Sequence, residues 1–149
     1  FGLETVVLRF GNVYGEGSGH KQSVVAKFIK EALSGDTLEI YGDGSQTRDF
    51  IHISDLTEAI LCATLSSGVG GEVFQIASAS ETTVGQLTSI LVEILESEGV
   101  VVKEVINGGT RQGDVLRNFS DTSKAESRLG WKSKVSLRDG LRQTVRDFL

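Results

Sequence analysis

The amino-acid sequence lacks proline and methionine altogether, and its 149 residues include a single cysteine and two histidines. One cysteine, Cys62, excludes an internal disulfide and a thiolate zinc cluster, and it fits a reducing, cytoplasmic compartment. The histidines, His20 and His52, are too far apart in the sequence to form a metal-ligand spacing, so no metal site is predicted.

Positive charge and long apolar runs are also scarce. The formal net charge of -5 argues against a general nucleic-acid binder, which needs a basic surface. No apolar run approaches the roughly 20 residues that span a bilayer, so no membrane partner is expected. The composition, 39% hydrophobic and 23% charged, is otherwise ordinary for one globular domain. Because the chain starts with "FGLETVV", without a methionine or a signal-peptide pattern, we expect part of a longer protein.

Apolar periodicity predicts strands that alternate with helices, which indicates an α/β or α+β fold. A β-branched run over 5–10 predicts a buried strand, followed by a glycine-rich loop. Ser23 and Ser54 stand where helix N-caps belong, and Gly35 and Gly130 stand where helices end. The predicted strands are 5–10, 38–42, 50–53, 72–78 and 100–106, and the predicted helices are 23–33, 54–68, 82–97, 121–130 and 136–149.

Asn12 and Arg48 are polar residues at the ends of predicted strands, and ligands bind at the carboxyl ends of strands in open α/β sheets. Asn12 either contacts a ligand or accommodates an unusual turn backbone. Arg48 precedes the apolar run "FIHI", and its guanidinium suits a phosphate or a carboxylate. The alternative for Arg48 is a salt bridge to Asp43, Asp49 or Asp55.

The segment "RQGDVLRNFSD" is a third polar cluster. Arg111 and Arg117 flank Asp114, an arrangement in which the arginines hold a diphosphate and the carboxylate accepts from a sugar hydroxyl. A solvated, charged loop is the alternative.

The stretch "GHKQS" is a fourth cluster, in which Gln22 and Ser23 stand at a helix start. Free backbone N–H groups there favour anions, although simple capping accounts for the residues equally well. Asp49 is interpreted as structural, and His52 as a packed residue with no evident carboxylate partner. Since no elbow motif, metal cluster or Walker loop occurs, no catalytic residue is predicted.

Taken in order, these clusters resemble the C-terminal part of the extended short-chain dehydrogenases, the NAD-dependent nucleotide-sugar epimerases and dehydratases. "LRFGNVYG" is similar to the family's "LRxxNVYGP", and "YGDGSQTRDFIHISD" is similar to its "YGDGxQxRDFxxVxD". "FQIASASETTVGQL" resembles "NxGxGxxxSxxxL", and "RQGDVLRNFSDTSKAESRLGWKS" resembles "RxGDxxxxxxDxsKAxxxLGWxP". Four matches in this order and spacing cover essentially the whole chain.

The resemblance implies an α/β fold in which 1–149 form a substrate-binding lobe with the last strands and helices of a Rossmann-type NAD-binding fold. Arg48 and Arg111 would contact the diphosphate of a UDP- or dTDP-linked sugar, and Asp114 the ribose. Asn12 would lie near both the sugar and the nicotinamide of NAD. The substrate-binding residues that the resemblance implies are Asn12, Gln22, Ser23, Arg48, Arg111 and Asp114, and the cofactor-binding residues are Phe10, Gly11 and Asn12.

The family also carries a glycine-rich NAD motif and a Tyr-x-x-x-Lys pair, and neither occurs in this chain. The resemblance therefore implies the nucleotide-sugar-binding portion of an enzyme that works through a 4-keto sugar, inactive by itself. The alternative is a stand-alone, non-catalytic binding module or a truncated relic. In either case exposed helix faces would favour self-association. Glu16, Gln112 and Ser133 replace family prolines, so looser loops are expected.

Overall fold

The computed structural model describes residues 2–149 and shows an α/β fold. Its strands are β1 (Val7–Phe10), β2 (Asn12–Tyr14), β3 (Leu38–Tyr41), β4 (Thr47–Arg48), β5 (Phe50–His52), β6 (Val73–Ile76), β7 (Thr82–Thr83) and β8 (Val105–Gly108). Its helices are α1 (Val24–Leu33), α2 (Ile53–Leu65), α3 (Val84–Ser97), α4 (Ser123–Leu129) and α5 (Leu137–Phe148), with a 3-10 turn at Ser18–His20. The alternation of strands and helices agrees with the prediction from periodicity.

The strands form four separate pairs. Three pairs are parallel, β1 with β6, β2 with β5 and β3 with β8, while β4 and β7 are antiparallel. Each parallel pair is formed by strands distant in the sequence, and helices fill the connections, as parallel pairing requires. The carboxyl ends of paired strands therefore meet, which places polar residues from separate parts of the chain together.

Two apolar cores hold the helices against the strands. In the first, α1, α3 and α5 bury Phe28, Leu91 and Leu141 over β3. In the second, α2 and α4 pack over β6, and Phe74 of that strand is buried together with Trp131. The β2–β5 pair joins the two cores because successive residues of a strand face opposite sides.

The expectation of a buried first strand is wrong for the described residues. Val7 is 51% exposed and Phe10 is 50% exposed. The strand pairs along one edge with β6, and of the predicted run the apolar residues that pack against the second core are Val6 and Leu8. A run of β-branched residues is typical of a strand that is buried on both faces of a sheet. Within residues 2–149, apolar residues pack on only one face of β1.

One predicted helix cap is corrected, and a second is confirmed in its position only. Helix α2 begins at Ile53, and the His52 ring accepts from the Ser54 backbone N–H, so His52 rather than Ser54 is the N-cap. Ser23 does occupy the N-cap of α1, but its side chain makes no capping hydrogen bond. An imidazole nitrogen fills the acceptor role that a hydroxyl usually takes, because β5 carries His52 directly into the helix start. Strand β8 begins at Val105, five residues later than predicted.

Candidate functional site

A cavity of about 530 Å³ opens where β2, β3, the start of α1 and the segment around Arg111 converge. Its lining residues come from stretches that are distant in the sequence, including β4 and the start of α3. The predicted site residues that line it are Gly11, Asn12, Gln22, Ser23, Arg48, Arg111 and Asp114. Phe10, the remaining predicted site residue, does not line the cavity.

Arg48 projects from β4 and is held by three acceptors. Its Nη2 donates to Asp114 Oδ1, and its Nη1 donates to the backbone carbonyls of Thr47, at 2.7 Å, and Val115. The Arg48 side chain is 15% exposed and that of Asp114 is 29% exposed. Arg48 therefore reaches the cavity with its planar guanidinium already oriented, because three fixed acceptors define one plane.

The three carboxylates proposed as alternative partners of Arg48 are engaged elsewhere. Asp43 accepts from the Ser45 backbone N–H in the turn, at 2.9 Å. Asp55 is buried at the start of α2 and accepts from the backbone N–H groups of Lys134 and Val135, at 3.1 and 3.0 Å. A salt bridge does exist, but its carboxylate is Asp114, which no local sequence pattern associates with Arg48.

Asp49 is structural, as interpreted from the sequence. The residue is 2% exposed, and its carboxylate accepts from the Ser78 backbone N–H and hydroxyl, at 2.8 and 2.6 Å, and from the Ser120 N–H at 3.2 Å. These donors and the carboxylate thereby satisfy one another inside the protein. Asp49 thus joins β5 to the loop after β6 and to the end of the 111–121 segment.

The segment 111–121, which we call the strap, is fastened across β4. The Thr47 N–H donates to the Leu116 carbonyl at 2.9 Å, and Arg117 forms a two-pronged ion pair with Glu81, at 2.7 and 3.0 Å. Arg117 therefore lies outside the cavity, and the prediction that both strap arginines hold a diphosphate is wrong. Arg111 alone of the two lines the cavity.

The start of α1 forms the opposite wall. The Ser23 hydroxyl is buried, and among residues 2–149 no hydrogen-bond partner reaches it. Capping does not explain this side chain, since it accepts no helix N–H. Lys30 donates to the Lys21 carbonyl at 2.7 Å and thereby fixes the approach to the helix. A buried hydroxyl without a partner at a cavity wall is suited to a ligand's polar group.

Lys27, Glu39 and Tyr41 are among the cavity residues that sequence reasoning missed. Glu39 and Tyr41 alternate on β3 with Leu38 and Ile40, which are buried in the first core. The Lys27 ammonium lies 4.9 Å from the centroid of the Tyr41 ring. The alternation in "LEIY" is a usable signal, because it predicts that Glu39 and Tyr41 share the face opposite the core.

His52 is packed, as expected, but it does have a carboxylate neighbour. The residue is 2% exposed, and its Nε2 lies 3.4 Å from Glu16 Oε2. Beside it, burial raises the pKa of the Tyr14 hydroxyl well above its usual range, and the carboxylates of Asp55, Asp139 and Glu16 add to the effect. Tyr14 therefore stays protonated at neutral pH, and this cluster lies beneath the site as a structural element.

The cofactor-binding prediction covers Phe10, Gly11 and Asn12. A Cβ on Gly11 would lie 2.8 Å from the Asp49 carbonyl oxygen and 3.1 Å from Ala77 Cβ, so close packing already requires glycine there. Phe10 is half exposed and precedes Gly11 and Asn12, which line the cavity. The assignment of these residues to NAD stays a prediction, and the sequence has no glycine-rich loop for the diphosphate of that cofactor.

Other site types find no support among the described residues. Within 2–149, no group of three or more His, Cys, Asp or Glu side chains is arranged to hold a metal ion. None of the helices described above is both long and apolar enough to cross a membrane.

The chain is similar in sequence and in structure to enzymes that act on nucleotide sugars, by their names. The model of the NAD dependent epimerase/dehydratase family matches residues 1–77. A UDP-glucose 4-epimerase of Thermotoga maritima, solved with UDP-glucose, superposes with a TM-score of 0.87 at 38% identity over 99% of this chain and 47% of its own. The UDP-N-acetyl-alpha-D-glucosaminuronate decarboxylase of Bacillus cytotoxicus is 30% identical over 99% of this chain and 47% of its own length. The dTDP-glucose 4,6-dehydratase of an Actinoplanes species is 33% identical over 97% of this chain and 43% of its own.

The chain belongs to the NAD-dependent epimerase/dehydratase family and corresponds to the C-terminal portion of such an extended short-chain dehydrogenase. It spans about half the length of the relatives that it matches. The α/β fold predicted from the sequence, with its Rossmann-type relatives, is confirmed.

Proposed function

We propose that the chain is the nucleotide-diphosphate-sugar-binding portion of an NAD-dependent sugar epimerase or dehydratase. The observation that carries the proposal is the convergence of Asn12, Ser23, Arg48, Arg111 and Asp114 on one cavity of about 530 Å³. That volume falls within the range of about 300–1,000 Å³ that is usual for small-molecule sites.

The two arginines supply the chemistry for a diphosphate. Arg48 and Arg111 are permanently charged, and a planar guanidinium matches the oxygens of a phosphate. Asp114 lies next to Arg48 and can accept from a ribose hydroxyl while it keeps the ion pair. The free Ser23 hydroxyl and the Asn12 amide supply neutral donors and acceptors for a sugar.

Tyr41 supplies a surface for a nucleobase. Its ring is 42% exposed and lines both the main cavity and an adjoining opening next to Arg111. Stacking of a base on an aromatic side chain is worth about 1–3 kcal/mol. A nucleotide placed with its base at Tyr41 would bring its phosphates toward Arg111 and Arg48.

The reaction that we propose for the whole enzyme begins with hydride transfer from the sugar C4 to NAD and gives a 4-keto intermediate. The relatives are named an epimerase, a decarboxylase and a dehydratase, so the proposal is limited to this class. Because the Tyr-x-x-x-Lys pair is absent from the sequence, we expect the isolated chain to convert neither UDP-glucose nor dTDP-glucose. Turnover by the pure chain would contradict this expectation.

Calorimetric titration of the chain with UDP tests the site directly. We expect saturable binding that Arg111→Ala weakens by about tenfold or more, since a hydrogen bond to a charged group contributes about 1.5–3 kcal/mol. Arg146→Ala is the matched control. Arg146 lies on the exposed face of α5, does not line the cavity, and pairs with Glu98 at the end of α3. Absence of binding to the folded chain, or equal binding by both variants, would refute the assignment.

We further propose that the isolated chain self-associates through exposed apolar side chains. Leu61 and Leu65 lie one turn apart on α2 and are 57% and 76% exposed. Light scattering of the wild type and of a Leu61→Glu, Leu65→Glu variant tests this, with a concentration-dependent mass expected for the wild type only. A monomeric wild type at high concentration would contradict it. The cytoplasmic location remains a prediction from the single cysteine.

A further inference from the structure

The carboxyl end of β8 carries Asn107 followed by Gly108, a dipeptide with reactive chemistry of its own. The side-chain amide of an asparagine is open to attack at Cγ by the backbone nitrogen of the next residue. Glycine at that next position has no Cβ to obstruct the attack. Of the three asparagines in the sequence, Asn107 is the one that precedes a glycine, since Asn12 precedes a valine and Asn118 a phenylalanine.

Packing explains why the fold keeps glycine at position 108. Gly108 pairs with Tyr41 of β3 in the parallel register, and the Glu39 side chain lies across it. A Cβ on Gly108 would overlap Glu39 Oε1 and would lie 2.7 Å from Cδ and 2.9 Å from Cγ. Any other residue there would force Glu39 to move. The reactive dipeptide is therefore a consequence of the packing between β3 and β8.

In the folded chain both reacting groups of the dipeptide are engaged. The Asn107 side-chain amide donates to the Gly42 carbonyl, in the turn after β3, at 2.9 Å. The Leu38 N–H donates to the Glu104 carbonyl at 3.0 Å, and the regular alternation of a parallel ladder from that bond turns the Gly108 N–H toward β3. Attack of the Gly108 nitrogen on Asn107 Cγ therefore requires that the end of β8 separate from β3.

We propose that Asn107 is a site of spontaneous deamidation that the pairing of β8 with β3 protects. In the reaction the Gly108 nitrogen forms a bond to Asn107 Cγ, and its proton ends on the side-chain nitrogen, which leaves as ammonia. The resulting succinimide adds water, and ring opening at either carbonyl gives aspartate or isoaspartate. Asn107 is exposed, so the water that this step consumes is at hand.

The product cannot make the contact that Asn107 makes. A carboxylate only accepts hydrogen bonds, so it repels the Gly42 carbonyl instead of donating to it. Isoaspartate also lengthens the backbone by a methylene, which shifts the end of β8 relative to β3. Gly42 follows Tyr41, and the loop after β8 leads to Arg111, and both of these residues line the cavity. On the basis of the proposed nucleotide-binding function, the modified chain should therefore bind UDP less tightly.

Incubation of the chain in a mildly alkaline buffer, followed by tryptic peptide mapping, tests the modification site. Trypsin cleaves after Lys103 and Arg111, so Asn107 is the only amide side chain in the peptide 104–111. Conversion of this peptide to its aspartate and isoaspartate forms should be at least about tenfold slower in the folded chain than in guanidinium chloride, because a protected site reacts only through open states. The peptide that contains Asn118 is the internal control and should change far less in both conditions.

Two matched substitutions test whether the opening of β8 limits the reaction. Ile106→Gly weakens the strand but leaves the dipeptide unchanged, and Ile106 is 40% exposed, so the core is largely retained. Deamidation of Asn107 should accelerate by roughly two- to fivefold, as the range of strand propensities predicts. Val101→Gly makes the same kind of change at an 82% exposed position before β8, and the rate should stay as in the wild type. Circular dichroism establishes that both variants are folded.

Asn107→Asp supplies the product carboxylate for the binding measurement. Calorimetry should show UDP binding weakened by about two- to tenfold, as the loss of one hydrogen bond predicts. Gln143→Glu is the control, because it adds the same charge at an exposed position of α5, and UDP binding should stay as in the wild type.

The outcomes distinguish the modification site from its effect on the cavity. Equal deamidation in the folded and the unfolded chain would overturn the protected site, as would equal rates for Ile106→Gly and Val101→Gly. If the site is protected but Asn107→Asp binds UDP as the wild type does, the link to the cavity is overturned. If the folded wild type binds no UDP, the proposed function fails, whereas the deamidation rates still decide the modification site.

Discussion

Arg48 donates to Asp114 across 66 positions of sequence, and this ion pair joins β4 to the strap. Both residues line the candidate nucleotide cavity. The pair therefore has two roles in one place: it closes one wall of the cavity, and it orients the guanidinium that we assign to the diphosphate. Disruption of the pair should affect the stability of the strap and the binding of nucleotide together.

Arg48→Ala should lower the free energy of unfolding by about 1–3 kcal/mol, because Asp114 and the Val115 carbonyl lose a charged donor in a half-buried place. Urea denaturation measures this change. Hydrogen exchange should accelerate in the strap and remain slow in α3, which packs in the first core. Arg48→Lys, which keeps the charge but loses the planar fork, should give an intermediate result. Unchanged exchange in the strap would contradict the role of this pair.

Asp49→Asn should destabilise the chain by about 1–3 kcal/mol. Both oxygens of the buried carboxylate face donors, from Ser78 and Ser120, so an amide NH₂ in place of either oxygen leaves two donors facing each other. Asp43→Asn is the control, since Asp43 lies in an exposed turn and its carboxylate accepts from the backbone N–H and the hydroxyl of Ser45. Equal urea midpoints for the two variants would show that the hydrogen bonds of Asp49 do not stabilise the fold more than those of Asp43.

Gly140→Ala and Gly85→Ala form a matched pair of helix substitutions. A Cβ on Gly140 of α5 would overlap the Tyr14 hydroxyl and lie 2.9 Å from His52 Cδ2, whereas a Cβ on Gly85 of α3 would meet atoms no closer than 3.5 Å. Alanine favours a helix over glycine by about 1 kcal/mol, and overpacking costs about 1–3 kcal/mol. Thermal melts should therefore show Gly140→Ala destabilised and Gly85→Ala unchanged or slightly stabilised. The reverse order would be inconsistent with the packing at α5.

Tyr14→Phe should remove part of the loss of stability at alkaline pH. Burial raises the pKa of Tyr14 in the folded chain, whereas the unfolded chain titrates near the usual value of about 10. The folded state therefore holds this proton more tightly, so its contribution is complete below about pH 10 and is lost as the pH rises further. Above that pH, the free energy of unfolding of the wild type should fall more steeply than that of Tyr14→Phe, by about 1.4 kcal/mol per pH unit.

The same comparison at neutral pH supplies the control. The Tyr14 hydroxyl makes one long hydrogen bond, 3.5 Å to the Leu137 carbonyl, so Tyr14→Phe should cost less than about 1 kcal/mol there. Urea denaturation at pH 7 and at several values above 10 gives both results. Parallel pH profiles for the two proteins would refute the burial effect.

Local patterns in the sequence were sufficient for most elements. Apolar spacing predicted α1, α3 and α5, and the glycine at position 130 marked the end of α4, where it adopts a left-handed conformation with φ of 63°. These predictions succeed because a helix forms between neighbours in the sequence, and one face of it must be apolar to pack. The family resemblance implied a common site for Asn12, Arg48, Arg111 and Asp114, and all four line the same cavity.

Contacts between distant residues required the structure. No local pattern pairs Arg48 with Asp114, Arg117 with Glu81 or Glu16 with His52, and the sequence offered nearer but incorrect partners for Arg48. The exposure of β1 could not be predicted from the sequence either. A run of β-branched residues indicates that a strand prefers burial, but it does not show whether another layer of the structure covers that strand. The sequence by itself determined most of the elements and the residue types that are suited to an anion, since both depend on local chemistry. Only the tertiary structure decided which charged side chains form ion pairs with each other and which line the cavity. This pairing depends on how strands that are distant in the sequence align with one another.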